Sequence, residues 1–309
     1  MKGTPHADTI TGTAKGERID SFQGDDTVRA RGGDDVVYAA QGNDAVWGQG
    51  GNDTVFGRAG DDRLYGGAGD DALNGNDGND LLDGRHGNDV LLGHDGDDHI
   101  LGGEGNDRMR GYGGADRMYG GPGNDTMDGL LDNDVLHGED GNDQINGGEG
   151  DDVIYGGEGD DTERRSATQV GGLLGGPGND VVYGENGNDH VSGGPGIDQL
   201  YGGLGNDELD GGDGDDLLVD DLGDDQMTGD AGDDIFFIGP GADEVYGEEG
   251  DDVFYVLNDN TYERIYCMEG HDKVIYVGSR DHNDILGLHG KNDCEEVLVI
   301  ETPPAGWPY

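Results

Sequence analysis

Aspartates recur at every ninth position through most of this 309-residue chain. The first run is Asp26, Asp35, Asp44, Asp53, Asp62, Asp71, Asp80, Asp89, Asp98, Asp107, Asp116, Asp125, Asp134, Asp143, Asp152 and Asp161. The second is Asp180, Asp189, Asp198, Asp207, Asp216, Asp225, Asp234, Asp243 and Asp252, and Asp272 stands in the same setting further on. Nearly all of them close a Gly-Asn-Asp or Gly-Asp-Asp triplet. A short, hard carboxylate at a fixed interval suits calcium, which takes roughly six to eight oxygen ligands from carboxylates and carbonyls. Glycine suits a backbone that must turn through conformations closed to other residues and aim its carbonyls at an ion. These twenty-six aspartates are therefore expected to be metal ligands.

The elements that would position them follow from the next residues. Two places after each aspartate stands an apolar side chain, as at Val28, Val37, Val46, Val55, Leu64, Leu73 and on to Ile154. By the period-two rule a short strand of three residues carries this middle side chain inward and its neighbours outward. Segments such as Gly66-Gly-Ala-Gly-Asp-Asp-Ala-Leu-Asn74 have the form G-G-x-G-x-D-x-U-x, and a period this regular makes the repeat the unit of explanation. In this the chain resembles the RTX, or haemolysin-type calcium-binding, family from about Asp8 to about Asp293. The resemblance implies an all-β fold, a parallel β-roll or β-solenoid with two nonapeptide repeats per coil. It also implies ions held between successive coils, so that Asp26 shares sites with Asp44 and Asp35 with Asp53.

Charge points the same way. The net charge is -53, with 70 acidic residues against 17 basic ones, and 67 residues are glycine. A chain so acidic and glycine-rich has too little apolar surface to offset its ordering entropy without cations. Of the aspartates, 25 stand in intact Gly-x-Asp triplets, so one divalent ion for each would bring +50 against the net charge of -53. Nucleic acid and anionic membrane are disfavoured as partners because both would be repelled. No apolar run approaches the roughly 20 residues that span a bilayer, so membrane insertion is not expected. Met1 to Thr13 also lack the basic and apolar parts of a cleaved signal. The resemblance implies export by a type I system that reads an uncleaved C-terminal signal, hence an extracellular or cell-surface location. Glu301 to Tyr309 do not look like a typical family signal.

Along the chain, Asp8 with Ile10 and Glu17 with Ile19 already hold the aspartate and apolar positions. His6 and Asp132 replace the triplet glycine, which predicts weaker sites at Asp8 and Asp134. The one break is the interval of 19 between Asp161 and Asp180, read as two repeats in which Gly171 takes the aspartate's place and one turn near 162–172 is looped out. A domain boundary there is the other reading. Residues 1–253 are thus expected to form the calcium-binding β-roll, and 254–309 degenerate repeats and a C-terminal cap. The cap strands are Val253–Leu257, Arg264–Cys267, Lys273–Val277 and Val297–Ile300, with the triplet glycine lost at Asp284 and Asp293. Cys267 and Cys294 both lie in this cap, either bridged or apolar structural residues.

No other constellation carries chemistry. The nine histidines, among them His86, His94 and His99, form no His-Glu-x-x-His pattern and read as solvated surface residues. Ser21, Ser166, Ser192 and Ser279 lie outside any Gly-x-Ser-x-Gly elbow. No enzyme activity is expected. Two function classes remain: a calcium-binding extracellular structural or interaction protein, which the methionine start inside the array favours, or the export and folding module of a secreted enzyme whose catalytic domain lies elsewhere. The third residue after each aspartate should point outward, so Tyr183, Tyr201, Val219, Phe237 and Tyr255 are expected to form one exposed ladder. The corresponding face of the first run begins with Tyr38 and Phe56 and turns polar at Asn74, Arg110, Asp128 and Asn146. Such a stripe either stacks neighbouring coils or serves calcium-dependent self-association, end to end or side by side. The coil around Ile10 and Ile19 offers a further strand edge.

Overall fold

A computed structural model describes residues 1–162, 172–257, 261–278, 285–286 and 294–300. Every regular element among them is a β-strand, paired in parallel with strands one coil away. The chain is a parallel β-solenoid of the β-roll kind. It divides into two compact units, Met1–Glu149 and Gly150–Tyr309. In the first unit successive strands alternate between two sheets of eight strands each; in the second they alternate between sheets of eight and seven.

One repeat shows why. Thr54–Ala59 is a strand whose partner is Ala72–Asp77, in the register Thr54↔Ala72, Val55↔Leu73, Phe56↔Asn74, Arg58↔Asn76 and Ala59↔Asp77. Most strands run to six residues where three were expected, because the ladder resumes beyond Gly57. The turn is then only the triplet Gly60-Asp61-Asp62. Val55 and Leu73 point inward and are 0 % and 1 % exposed, as are the matching apolar residues from Ile19 to Val274, whereas Ile10 in the first strand is half-buried. This narrow core is one side chain per strand deep, so the walls between the two sheets consist largely of backbone and carboxylate.

The triplet glycine is dictated by the stacking. Gly51 has φ +118°, and a Cβ there would lie 2.6 Å from the carbonyl carbon and oxygen of Gly33 in the coil before. No side chain fits between coils at that corner.

The break is resolved by its flanks. Val153↔Val181 and Tyr155↔Tyr183 pair across an interval of 28, ten more than a regular coil. Asp161 donates its N–H to Oδ1 of Asp189, while Leu173 pairs with Val191, so Asp161 and Leu173 belong to one repeat. The expected count of two repeats is therefore corrected to one repeat with an insertion of ten residues. The tyrosine ladder accordingly starts at Tyr155. Residues 163–171, including the inserted Thr162–Val170 segment almost entirely, lie outside the described residues, as do Asp284, Asp293 and 301–309.

Beyond Asp252 the parallel pairing continues through Val253–Leu257, Asp272–Val277 and Cys294–Ile300, with a register shift between Asp272 and Lys273. From Phe236 onward larger side chains enter the interior, and Phe236, Phe254 and Tyr276 are all 0 % exposed. Cys267 and Cys294 form a disulfide, with Cα atoms 5.3 Å apart. It closes the alternative of two separate apolar thiols.

Candidate metal centre: a ladder of buried aspartates

Each stacked aspartate meets the one a coil away, 18 residues on in a regular coil, 28 across the insertion and 20 from Asp252 to Asp272. The N–H of Asp26 donates to Oδ1 of Asp44 at 2.7 Å, Asp44 to Asp62, Asp62 to Asp80, Asp80 to Asp98 and Asp98 to Asp116 in turn. A second ladder runs Asp35, Asp53, Asp71, Asp89, Asp107, Asp125 and Asp143. In the second unit Asp152 reaches Asp180 and Asp161 reaches Asp189 across the insertion, and the ladders go on through Asp198, Asp216, Asp234, Asp252 and Asp272, and through Asp207, Asp225 and Asp243. The pairing Asp26 with Asp44 and Asp35 with Asp53 is the one the resemblance implies. Asp134 is likewise buried, and its Oδ1 accepts from Asp116 at 2.8 Å despite the missing triplet glycine.

All twenty-six predicted ligands are buried, none more than 3 % exposed. One carboxylate oxygen is used in the ladder. The other is buried with no hydrogen-bond donor at Asp26, Asp35, Asp44, Asp53, Asp62, Asp71, Asp80, Asp89, Asp98, Asp107, Asp116 and Asp125, and again at Asp180, Asp189, Asp198, Asp207, Asp216, Asp225, Asp234 and Asp252. Burying an anionic oxygen without a partner is costly, and proteins meet that cost with a cation or a proton.

The titration of these groups reflects it. Burial, resisted by the N–H bond from Asp44 and reinforced by the neighbouring aspartates Asp80, Asp44 and Asp61, raises the Asp62 carboxyl to about 8. The same causes, burial first, put Asp98, Asp189 and Asp234 at about 8 and Asp71, Asp80, Asp125 and Asp225 at about 7. Glu17, on the exposed first coil, is displaced the other way, because the Thr13 hydroxyl and N–H donate to it.

Glycine makes room for the second oxygen. A Cβ on Gly211 would stand 2.7 Å from Oδ2 of Asp216 and 2.8 Å from the carbonyl oxygen of Gly229, so carboxylate and carbonyl converge on the same small space. The donor set is all oxygen, anionic and carbonyl together, which is the chemistry a hard divalent cation selects.

A feature sequence reading passed over lies just outside. The residue before each aspartate forms its own ladder, running in the opposite sense: Asn43 N–H donates to Asp25 Oδ1, Asp61 to Asn43, Asn79 to Asp61 and Asp97 to Asn79, at 3.0 to 3.1 Å. On this edge Asp and Asn alternate from Asp25 to Asp97, which keeps like charges out of contact between adjacent coils. The signal was present in the mixture of Gly-Asn-Asp and Gly-Asp-Asp triplets read every second repeat.

The aromatic ladder is half-buried by its own stacking. Tyr155 lies over Tyr183 at 5.0 Å, Tyr183 over Tyr201 at 4.7 Å and Phe237 over Tyr255 at 5.0 Å. Val219 interrupts it and is buried, 5 % exposed, where exposure was expected. Tyr38 and Phe56 stack in the first unit. Among the histidines, His94 stacks on Tyr112 and His137 on Tyr119. His190 departs from the expected solvated state: it is 6 % exposed, with Nδ1 3.5 Å from Glu208.

A parallel β-roll whose coils are joined by buried, laddered aspartates defines a class of calcium-binding repeat proteins. The profile of the RTX calcium-binding nonapeptide repeat matches this chain in overlapping copies from residue 2 to residue 163 and again at 173–200, 201–236 and 238–262. The chain belongs to that family. No curated protein matches the chain significantly.

Proposed function

We propose that this chain is an extracellular calcium-binding protein with a structural or interaction role, whose coils become stable when calcium enters the aspartate ladders. The observation that carries the reading is the second oxygen of laddered aspartates such as Asp62, Asp98, Asp216 and Asp234, buried beside glycine carbonyls with no donor. The ligands would be the twenty-six aspartates from Asp26 to Asp272, about one ion per intact repeat. Calcium would supply positive charge and oxygen coordination there; the chain supplies the spacing. Residues 1–253 would be the calcium-binding roll and 254–309 its cap.

One observation supports a location outside the cell: the disulfide between Cys267 and Cys294 suits an oxidising compartment. Sites of the expected affinity, about 0.1 to 1 mM, would be filled only where calcium is abundant. Type I secretion is the route the family favours.

Self-association belongs to the same reading. The Tyr155, Tyr183 and Tyr201 stack with Phe237 and Tyr255 leaves a half-exposed apolar stripe on a surface that is otherwise strongly anionic. Calcium would remove the repulsion that keeps two such surfaces apart. Sedimentation at saturating calcium tests this: assembly should appear with calcium and weaken in Tyr201→Ser/Phe237→Ser, whereas a monomer at high concentration would confine the stripe to stacking within one chain.

A further inference from the structure

Five residues before a laddered aspartate stands the position whose Cβ would press on the aspartate's second oxygen. It is glycine before twenty of the twenty-six. The exceptions are Ser21, Ala30, Ala39, Asp220, Ile238 and Cys267, and only Asp220 brings a further charge.

Asp220 follows the strand Leu217–Val219 and is completely buried. Carboxylate oxygens of Asp220, Asp225 and Asp243 lie within 4.8 Å of one another, and Asp225 and Asp243 are 3 % and 1 % exposed. Backbone bonds fix all three. Asp220 Oδ1 accepts from the N–H of Gly239, Asp225 Oδ1 from Asp207 at 2.7 Å and Asp243 Oδ1 from Asp225 at 3.0 Å. Oδ2 of Asp225 is buried in this cluster and receives no hydrogen bond. Sequence offers no local counter-charge either, since no lysine or arginine occurs between Arg165 and Arg264.

Three buried carboxylates at this range repel one another in a weakly polar interior. A regular repeat places two carboxylates and glycine carbonyls around its space; here a third carboxylate replaces the glycine. In oxygen-ligand sites for calcium, affinity rises with the number of charged ligands and the rigidity of the site.

We propose that Asp220, Asp225 and Asp243 form a separate three-carboxylate calcium site, tighter than the regular repeat sites and filled before them. The proposal rests on the reading of the aspartate ladders as calcium sites. An ion held here would join neighbouring coils of the second unit at low calcium, giving the remaining coils a folded template on which to add.

Equilibrium dialysis of the full chain against buffered calcium, with elemental analysis of bound metal, tests it with two variants. Asp220→Asn keeps the size and the acceptor for Gly239 while removing the charge; Asp220→Gly restores the glycine of the regular repeat. The wild-type chain should hold one ion at free calcium about tenfold or more below the midpoint of the others. Both variants should abolish this early uptake alone, the ion moving in Asp220→Gly to the midpoint of the regular sites, with the uptake of the other ions and the strand signal in circular dichroism at saturating calcium unchanged. Isotherms of the variants that superimpose on the wild type overturn the separate site and leave the ladder reading standing. Loss of all uptake in both variants also overturns it, since the site would then be part of one indivisible set. Absence of uptake in the wild type itself removes the ladder reading, and this inference with it.

Discussion

The backbone N–H of Asp71 donates to Oδ1 of Asp89, one coil further on, at 2.6 Å. The carbonyl of Asp71 in turn accepts from Val90 at 2.9 Å, so the turn residue of one coil is held by the turn and the strand of the next. Only one oxygen of Asp89 takes part, and the other is buried without a donor. The ladder thus builds the stack and, by the same stroke, leaves at Asp89, as at Asp62, Asp98 and Asp216, an anionic oxygen that no donor satisfies.

A mid-array aspartate should matter far more than a terminal one. Asp89→Ala removes the acceptor for Asp71 and a ligand shared with Asp71 and Asp107. An orphaned buried N–H costs about 1 to 3 kcal/mol, and the calcium midpoint should rise as well. Asp8 is part-exposed, and its Oδ2 is bonded to Thr4 at the edge of the first coil. Asp8→Ala should leave calcium-induced folding close to wild type. Thermal melts of both variants at fixed calcium make the comparison, and equal effects would contradict the stacked arrangement.

Glycine at the turn is as sensitive as aspartate. In Gly51→Ala the new methyl would meet the backbone of Gly33 at 2.6 Å in a positive-φ conformation, so neither a rotamer nor a neighbouring side chain can yield. Gly113→Ala, where a Cβ meets nothing within 4 Å, is the matched control. The first should cost several kcal/mol by denaturant titration in calcium and the second less than about 1 kcal/mol. Similar costs at the two positions would contradict the coil-on-coil packing.

Acid should stabilise the metal-free fold. The carboxyls of Asp62, Asp98, Asp189 and Asp234 lie at about 8 in the folded chain, above the ordinary value of 3.8, because burial disfavours their charge. The folded state therefore binds more protons than the unfolded one, and its stability falls as pH rises between about 4 and 8. In chelator, strand content followed by circular dichroism should be greatest near pH 4 to 5 and lost towards pH 8. Calcium should abolish this dependence by replacing the protons. A metal-free chain that gains structure on raising the pH would have the sign reversed.

The period of nine was enough to read the repeat and its inward apolar residue, because both depend on local residue type repeated without change, whereas the parallel roll and the partnership of aspartates 18 apart came from the resemblance that the repeat carries. What escaped the sequence depends on contacts between coils. The six-residue strands arise because the ladder resumes past a glycine such as Gly57, and the count across the break turned on whether Leu173 belonged with Asp161 or with Gly171, which only the pairing with Val191 decides. The Cys267–Cys294 bridge likewise joins residues at different positions in the repeat, so no periodic signal marked it. Asp220 was hidden in plain composition: one aspartate among many, distinguished only by standing where a glycine belongs.

On this reading the buried ladder folds because calcium enters it. The most direct measurement is a calcium titration of the chelator-treated chain at pH 7 to 8, with strand content followed by circular dichroism and bound calcium counted in parallel. The account predicts a disordered chain in chelator and a cooperative gain of β-structure at about 0.1 to 1 mM calcium, with uptake approaching one ion for each of the 25 intact triplets. A chain that keeps its full β-structure in excess chelator, with no change as calcium is restored, would contradict it.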